Sequence, residues 1–180
     1  MERLRQLVGE MLLYCFVVVL LTGGFLAFFY QPSGGMVVYD GAYTPLRGTS
    51  MPAAYASMIT LSFDVRGGLF IRQLHHTAAI LLGLLAVFWV LIGRSRITLL
   101  VLGLVALGGL AGYGGADDPL TGTFLGRVPV PVWYGLHLLT ALIVGAALVH
   151  ASRQEAARQP RTAELVGLSL ILTALLLYVL

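Results

Sequence analysis

Apolar residues run almost unbroken through five stretches of the chain, at about residues 6–30, 69–93, 97–113, 131–151 and 163–180. Each is close to the roughly 20 residues that an α-helix needs to cross a bilayer. Continuous apolarity of this length predicts transmembrane helices rather than buried strands. The expected fold is an all-α membrane protein, a four-helix bundle followed by a fifth, C-terminal transmembrane helix, in a single transmembrane domain over residues 1–180. The first stretch is too long and too aromatic for a cleaved signal peptide, and no small-residue cleavage site follows it. The third is short and glycine-rich, and the fifth is the most dispensable. Within the loop 31–68, the segment MPAAYASMITLSF is apolar but too short to span, and it predicts a short helix lying in the interface.

Composition excludes a water-soluble domain. Hydrophobic residues make up 58%, charged residues 11%, and the mean hydropathy is +0.91, whereas soluble proteins carry about 25% charged residues. The net charge of +3 comes from eleven basic residues, all arginine. We read this bias as genomic base composition, with no basic patch of the kind that grips nucleic acid. The lone cysteine, Cys15, lies within an apolar run, which excludes disulfides and covalent c-type haem attachment within the chain and makes it a small apolar filler.

Arginine placement sets the expected orientation, because cytoplasmic loops collect positive charge. Arg3, Arg5, Arg94, Arg96, Arg153, Arg158 and Arg161 gather on one face, with the N-terminus. The loops 31–68 and 114–130 fall on the other, outer face with Asp40, Asp64, Asp117 and Asp118.

Candidate chemistry rests on histidine, since an imidazole inside a membrane span is costly enough to imply function. His75 and His137 each lie about seven residues into the second and fourth spans from the outer side, hence about 10 Å deep at ~1.5 Å per residue. Two imidazoles at equal depth on different helices are what axial ligation of one haem iron requires. The first and third spans offer Gly23, Gly24, Gly108, Gly109 and Gly112 at the same level. There, absent side chains would admit a flat macrocycle, although glycine also serves close helix packing in membranes. Arg72, three residues before His75 and one turn nearer the surface, could pair with a haem propionate. Arg66 and Arg127 lie near the same edge, where arginines commonly snorkel to the headgroups. His76 points about 100° away from His75 and reads as a hydrogen-bonded neighbour. His150 reads as a terminal histidine near the inner face.

The strings GEMLLYCFVVVLLTGGFLAFFYQP, VVYDGAYTPLRGTSMPAAYASMITLSFDVRGGLFIRQLHHTAAI and GYGGADDPLTGT, and more weakly WYGLHLLTALIVGAALVH, resemble the cytochrome b of bc-type quinol:acceptor complexes. The actinobacterial form is the most similar. The resemblance runs over about residues 8–125 and implies the N-terminal, four-helix haem-binding half of that protein, in a bacterial plasma membrane with a cytoplasmic N-terminus. In the family each ligand helix bears two histidines about fourteen residues apart, for an outer and an inner haem. The outer pair maps onto His75 and His137, flanked by Gly23 and Gly109. The inner partner of His75 falls on Trp89, whose indole offers only a donor and cannot ligate iron. Gly9 and Gly23 keep the same spacing, the inner one as a relic.

The family's second half, with its Pro-Glu-Trp-Tyr quinol-site motif, has no counterpart here, and the loop 114–130 is shorter than in the family. The expectation is thus an electron-transfer subunit of an oxidoreductase complex in a respiratory chain, not a complete enzyme. It would carry one non-covalent haem b near the outer face, held by His75 and His137. A quinone is a candidate second ligand. The expected partners are other subunits of a membrane redox complex, an outer-face carrier such as a cytochrome c or Rieske-type protein, and the lipid bilayer. Two alternatives stand beside it, a subunit of a split bc-type oxidoreductase whose quinol site is on another chain, and a haem-free structural or assembly subunit. The fifth span could dock a partner or act as a plain anchor.

Overall fold

The structure is a computed structural model that describes residues 2–116, 123 and 125–180. It is 78% helical. Among the described residues six α-helices follow in order, α1 (Glu2–Ala27), α2 (Ala53–Phe63), α3 (Gly68–Ile92), α4 (Arg96–Ala116), α5 (Val130–Arg158) and α6 (Ala163–Val179). Four of them, α1, α3, α4 and α5, are long and apolar enough to cross a membrane. The 17 residues of α6 reach only about 26 Å.

The four long helices form the bundle. α1 and α4 each pack against both α3 and α5, so α3 faces α5 across one diagonal and α1 faces α4 across the other. α6 lies outside, against α1 and α3.

The tight apolar core fills only one half of this bundle. It is built from Val8, Leu12 and Phe16 of α1, Ala78 to Trp89 of α3, Val101 of α4, and Val144, Leu148 and Ala151 of α5. Around His75 and His137 the side chains are mostly half-buried or exposed.

The loop between α1 and α3 is more structured than its sequence suggests. Strands β1 (Met36–Val38) and β2 (Ser50–Pro52) pair antiparallel, with Val37 opposite Met51. Tyr39, Met51, Ala56 and Ile59 make a small second core that seats the hairpin on α2. β-Branched residues in VV and the turn around Gly48, at φ +83°, favour the hairpin. The corner into α3 needs two glycines. Gly67 caps the helix at φ +79°, and a Cβ on Gly68 would overlap the backbone carbonyl of Leu61.

A polar network closes the end of the bundle holding the N-terminus. The Glu10 carboxylate, 2% exposed, accepts from Arg161 Nε at 2.8 Å, Ser152 Oγ at 2.7 Å and Tyr14 Oη at 3.0 Å. Arg5 pairs with Glu155 at 2.8 Å, and the buried Gln6 donates to the Gln159 carbonyl at 2.7 Å. These contacts need helix beyond the apolar run, and α5 accordingly continues two turns past residue 151 to Arg158.

Candidate functional site

His75 and His137 stand seven residues from the first residues of α3 and α5 (75−68 and 137−130). Across the open diagonal their ring centroids are 6.2 Å apart and their planes inclined at 69°. Metal–imidazole bonds are about 2 Å long, so two rings sharing one metal have centroids roughly 6 Å apart.

Both rings are held through Nδ1. His137 Nδ1 lies 2.8 Å from the carbonyl oxygen of Gly108. A carbonyl can only accept, so Nδ1 carries the hydrogen and Nε2 keeps its lone pair. His75 Nδ1 lies 3.0 Å from the hydroxyl of Thr22. Among the described residues no three His, Cys, Asp or Glu side chains converge as a metal set. Two imidazoles would complete the coordination of a metal that brings its own equatorial donors, as a porphyrin does.

Glycines of the other diagonal abut the two rings. A Cβ on Gly23 would stand 3.0 Å from His75 Cε1, and one on Gly112 would stand 3.0 Å from His137 Cε1 and Nδ1. The structure does not bring Gly109 against either histidine ring. It is exposed, and nothing lies within 4 Å of where its Cβ would be. Residues 108 and 112, one turn apart, share the histidine-facing side, while 109 is turned about 100° from 108. Gly24 is likewise open.

Arg72 lies on α3 one turn before His75, with a guanidinium nitrogen 3.3 Å from Ser62 Oγ of α2. His76 is exposed, its ring 6.2 Å from that of Tyr113. His150 is not a helix-end residue, because α5 continues beyond it. It is exposed, and its Nε2 meets Gln154 Nε2 at 3.0 Å. Asp117 and Asp118 lie outside the described residues.

Fourteen residues further along each helix the arrangement repeats in altered form. Gly9 follows Gly23 (23−9), Trp89 follows His75 (89−75), and Ala151 follows His137 (151−137). The Trp89 indole is 2% exposed and packs 3.7 Å from the Cβ position of Gly9, and Ala151 is buried in the same cluster. α4 supplies buried Thr98 at the corresponding distance from Gly112 (112−98). At this level an indole and small side chains close the space.

Sequence reasoning passed over Thr22 and Glu10. A carboxylate inside an apolar run was a signal for the second. Thr22 carried no signal beyond its place before two glycines.

Four membrane-length apolar helices around a facing pair of histidines define an all-α, multi-pass membrane protein. The chain is similar to the N-terminal part of cytochrome b subunits of bc1 complexes, at 38–44% identity over 65–79% of its length. The cytochrome bc1 complex cytochrome b subunit of Corynebacterium efficiens is 38% identical over 157 residues, covering 79% of this chain and 27% of that protein. The Mycobacterium leprae subunit of the same name is 38% identical over 182 residues, covering 79% and 33%. That of Streptomyces coelicolor is 43% identical over 133 residues, covering 65% and 24%. The chain thus spans a quarter to a third of the length of these relatives. No protein-family model matches it.

Proposed function

We propose that this chain is a membrane-embedded b-type cytochrome subunit that relays electrons through one haem ligated by His75 and His137. The observation that carries the reading is the pair of imidazoles 6.2 Å apart across the open diagonal. The closed level at Gly9, Trp89 and Ala151 supports a count of one haem instead of two. When bound, the haem supplies a one-electron ferric/ferrous couple.

The residues of the chain do the rest. His75 and His137 would hold the haem through Nε2, Gly23 and Gly112 leave room beside the rings, and Gly108 fixes the His137 tautomer. Arg72, one turn from His75, is the candidate partner for a propionate. Arginine distribution supports a cytoplasmic N-terminus in a bacterial plasma membrane. The site then lies near the outer face, where a cytochrome c or Rieske-type partner could exchange electrons with it, within a membrane redox complex that could also present a quinone.

The test is the reduced-minus-oxidised optical spectrum with pyridine-haemochrome quantitation on purified protein, His75→Ala and His137→Ala. One b haem per chain, lost in either variant, is expected. Two haems per chain would show the Trp89 level to be open, and a haem-free protein would leave a structural or assembly subunit.

A further inference from the structure

We propose that Thr22 is a positioning residue for His75, its hydroxyl holding the ring so that Nε2 faces the haem and raising the basicity of that ligand. The proposal rests on the haem reading above. Thr22 is 6% exposed on α1. Its Oγ1 lies 2.7 Å from the Val18 carbonyl oxygen, 3.1 Å from that of Val19 and 3.0 Å from His75 Nδ1.

A hydroxyl has one hydrogen and two lone pairs. The carbonyls can only accept, and helical threonine commonly donates to the carbonyl four residues back. The shortest contact, to Val18, therefore takes the hydrogen, and a lone pair is left for His75, whose Nδ1 must be the donor. In the opposite arrangement the hydroxyl would donate to Nδ1. That would put the ring hydrogen on Nε2, leave no lone pair for a metal, and leave two oxygens 2.7 Å apart with no hydrogen between them.

In the assigned arrangement the bonds run His75 Nδ1–H to Thr22 Oγ1, then Thr22 O–H to Val18 O, each polarising the next. Such a partner fixes the tautomer and makes the metal-bound nitrogen a stronger donor. β-Branching at Thr22 restricts its side-chain rotation, so the oxygen is held in place. His137 is anchored by a backbone carbonyl, which side-chain substitution leaves intact; His75 also meets the backbone carbonyl of Val19, but its Thr22 hydroxyl partner can be deleted.

The experiment is a redox titration of the full-length protein, with low-spin EPR and haem-to-protein ratio, for wild type, Thr22→Val, Thr22→Ala and Thr22→Ser. Valine and alanine are expected to weaken ferric haem binding about tenfold and to raise the midpoint potential. Each tenfold loss of ferric over ferrous preference is read as about 59 mV. Serine, which keeps the hydroxyl, is expected to restore the wild-type potential and g values. Two paired variants guard against a folding defect in either one. Wild-type potential and EPR in a haem-loaded valine or alanine variant would overturn the proposal alone, as would a serine variant displaced as far as valine. A wild type with no b-type spectrum would overturn the haem reading and this one with it.

Discussion

Alanine placed at four glycines, Gly23 and Gly112 beside the histidines and Gly24 and Gly109 with open space around them, separates a haem site from ordinary helix packing. At Gly23 and Gly112 the new Cβ would stand 3.0 Å from a ring atom of His75 or His137, about 0.4 Å inside ordinary contact at 3.4 Å. Binding constellations hold their geometry to within about 0.5 Å, so a shift of that size displaces the ligand ring by nearly the whole tolerance. At Gly24 and Gly109 nothing lies within 4 Å, and alanine there only stiffens the helix, a gain of about 1 kcal/mol. The expected result is opposite behaviour between the two pairs. Gly23→Ala and Gly112→Ala lose haem occupancy or shift the α-band, while Gly24→Ala and Gly109→Ala keep full haem and melt at the same or higher temperature in detergent. Leucine at 23 or 112 abolishes haem. The assay is haem-to-protein ratio with thermal unfolding on the same samples. Equal haem loss at Gly109 and Gly112, or full haem with unaltered spectra in all four variants, would refute the reasoning.

Two further outcomes follow from the bundle end that holds the N-terminus and from the α2–α3 corner. Removing Arg161 leaves the Glu10 carboxylate buried without its cation. Arg161→Ala is expected to cost about 3 kcal/mol, the low end for breaking a buried pair, because the Arg161 side chain is 37% exposed and Ser152 and Tyr14 remain. Glu10→Gln combined with Arg161→Ala should cost less than Arg161→Ala alone, as read by SDS titration of unfolding in mixed micelles. Gly68→Ala sets a Cβ against the backbone of Leu61 and should cost about 3 kcal/mol, the upper end of common single-residue effects, visible as faster proteolysis at residues 64–68. Gly67→Ala strains only one left-handed residue and should cost about 1–2 kcal/mol.

The bundle was legible because bilayer length and apolarity act on whole segments, and the histidine pair because equal depth needs only counting along two helices. Rotational phase was harder. Choosing among Gly108, Gly109 and Gly112 requires knowing which side of α4 faces α5, and a helix apolar all round carries no stripe to set that phase. Glu10 and Arg161 are 151 residues apart, and nothing local pairs them. The β1–β2 hairpin depends on Tyr39 and Met51 burying against α2, a tertiary contact that overrides weak local propensity. The helical extension of α5 to Arg158 is polar in sequence and is stabilised by contacts of Glu155 and Gln159 with the other end of the chain.

The indole of Trp89 bears on voltage as well as on packing. His75 lies about 10 Å along α3 and Trp89 about 21 Å further, at ~1.5 Å per residue. On the proposed reading, an electron reaching the histidine level from the outer surface crosses roughly a third of a ~30 Å hydrocarbon core. Moving one charge across the whole core against 100 mV takes about 2.3 kcal/mol, so this partial path takes about 0.8 kcal/mol. Electron exchange through this chain would then feel only about a third of the membrane potential, coupling carriers along one face instead of driving charge from one side to the other.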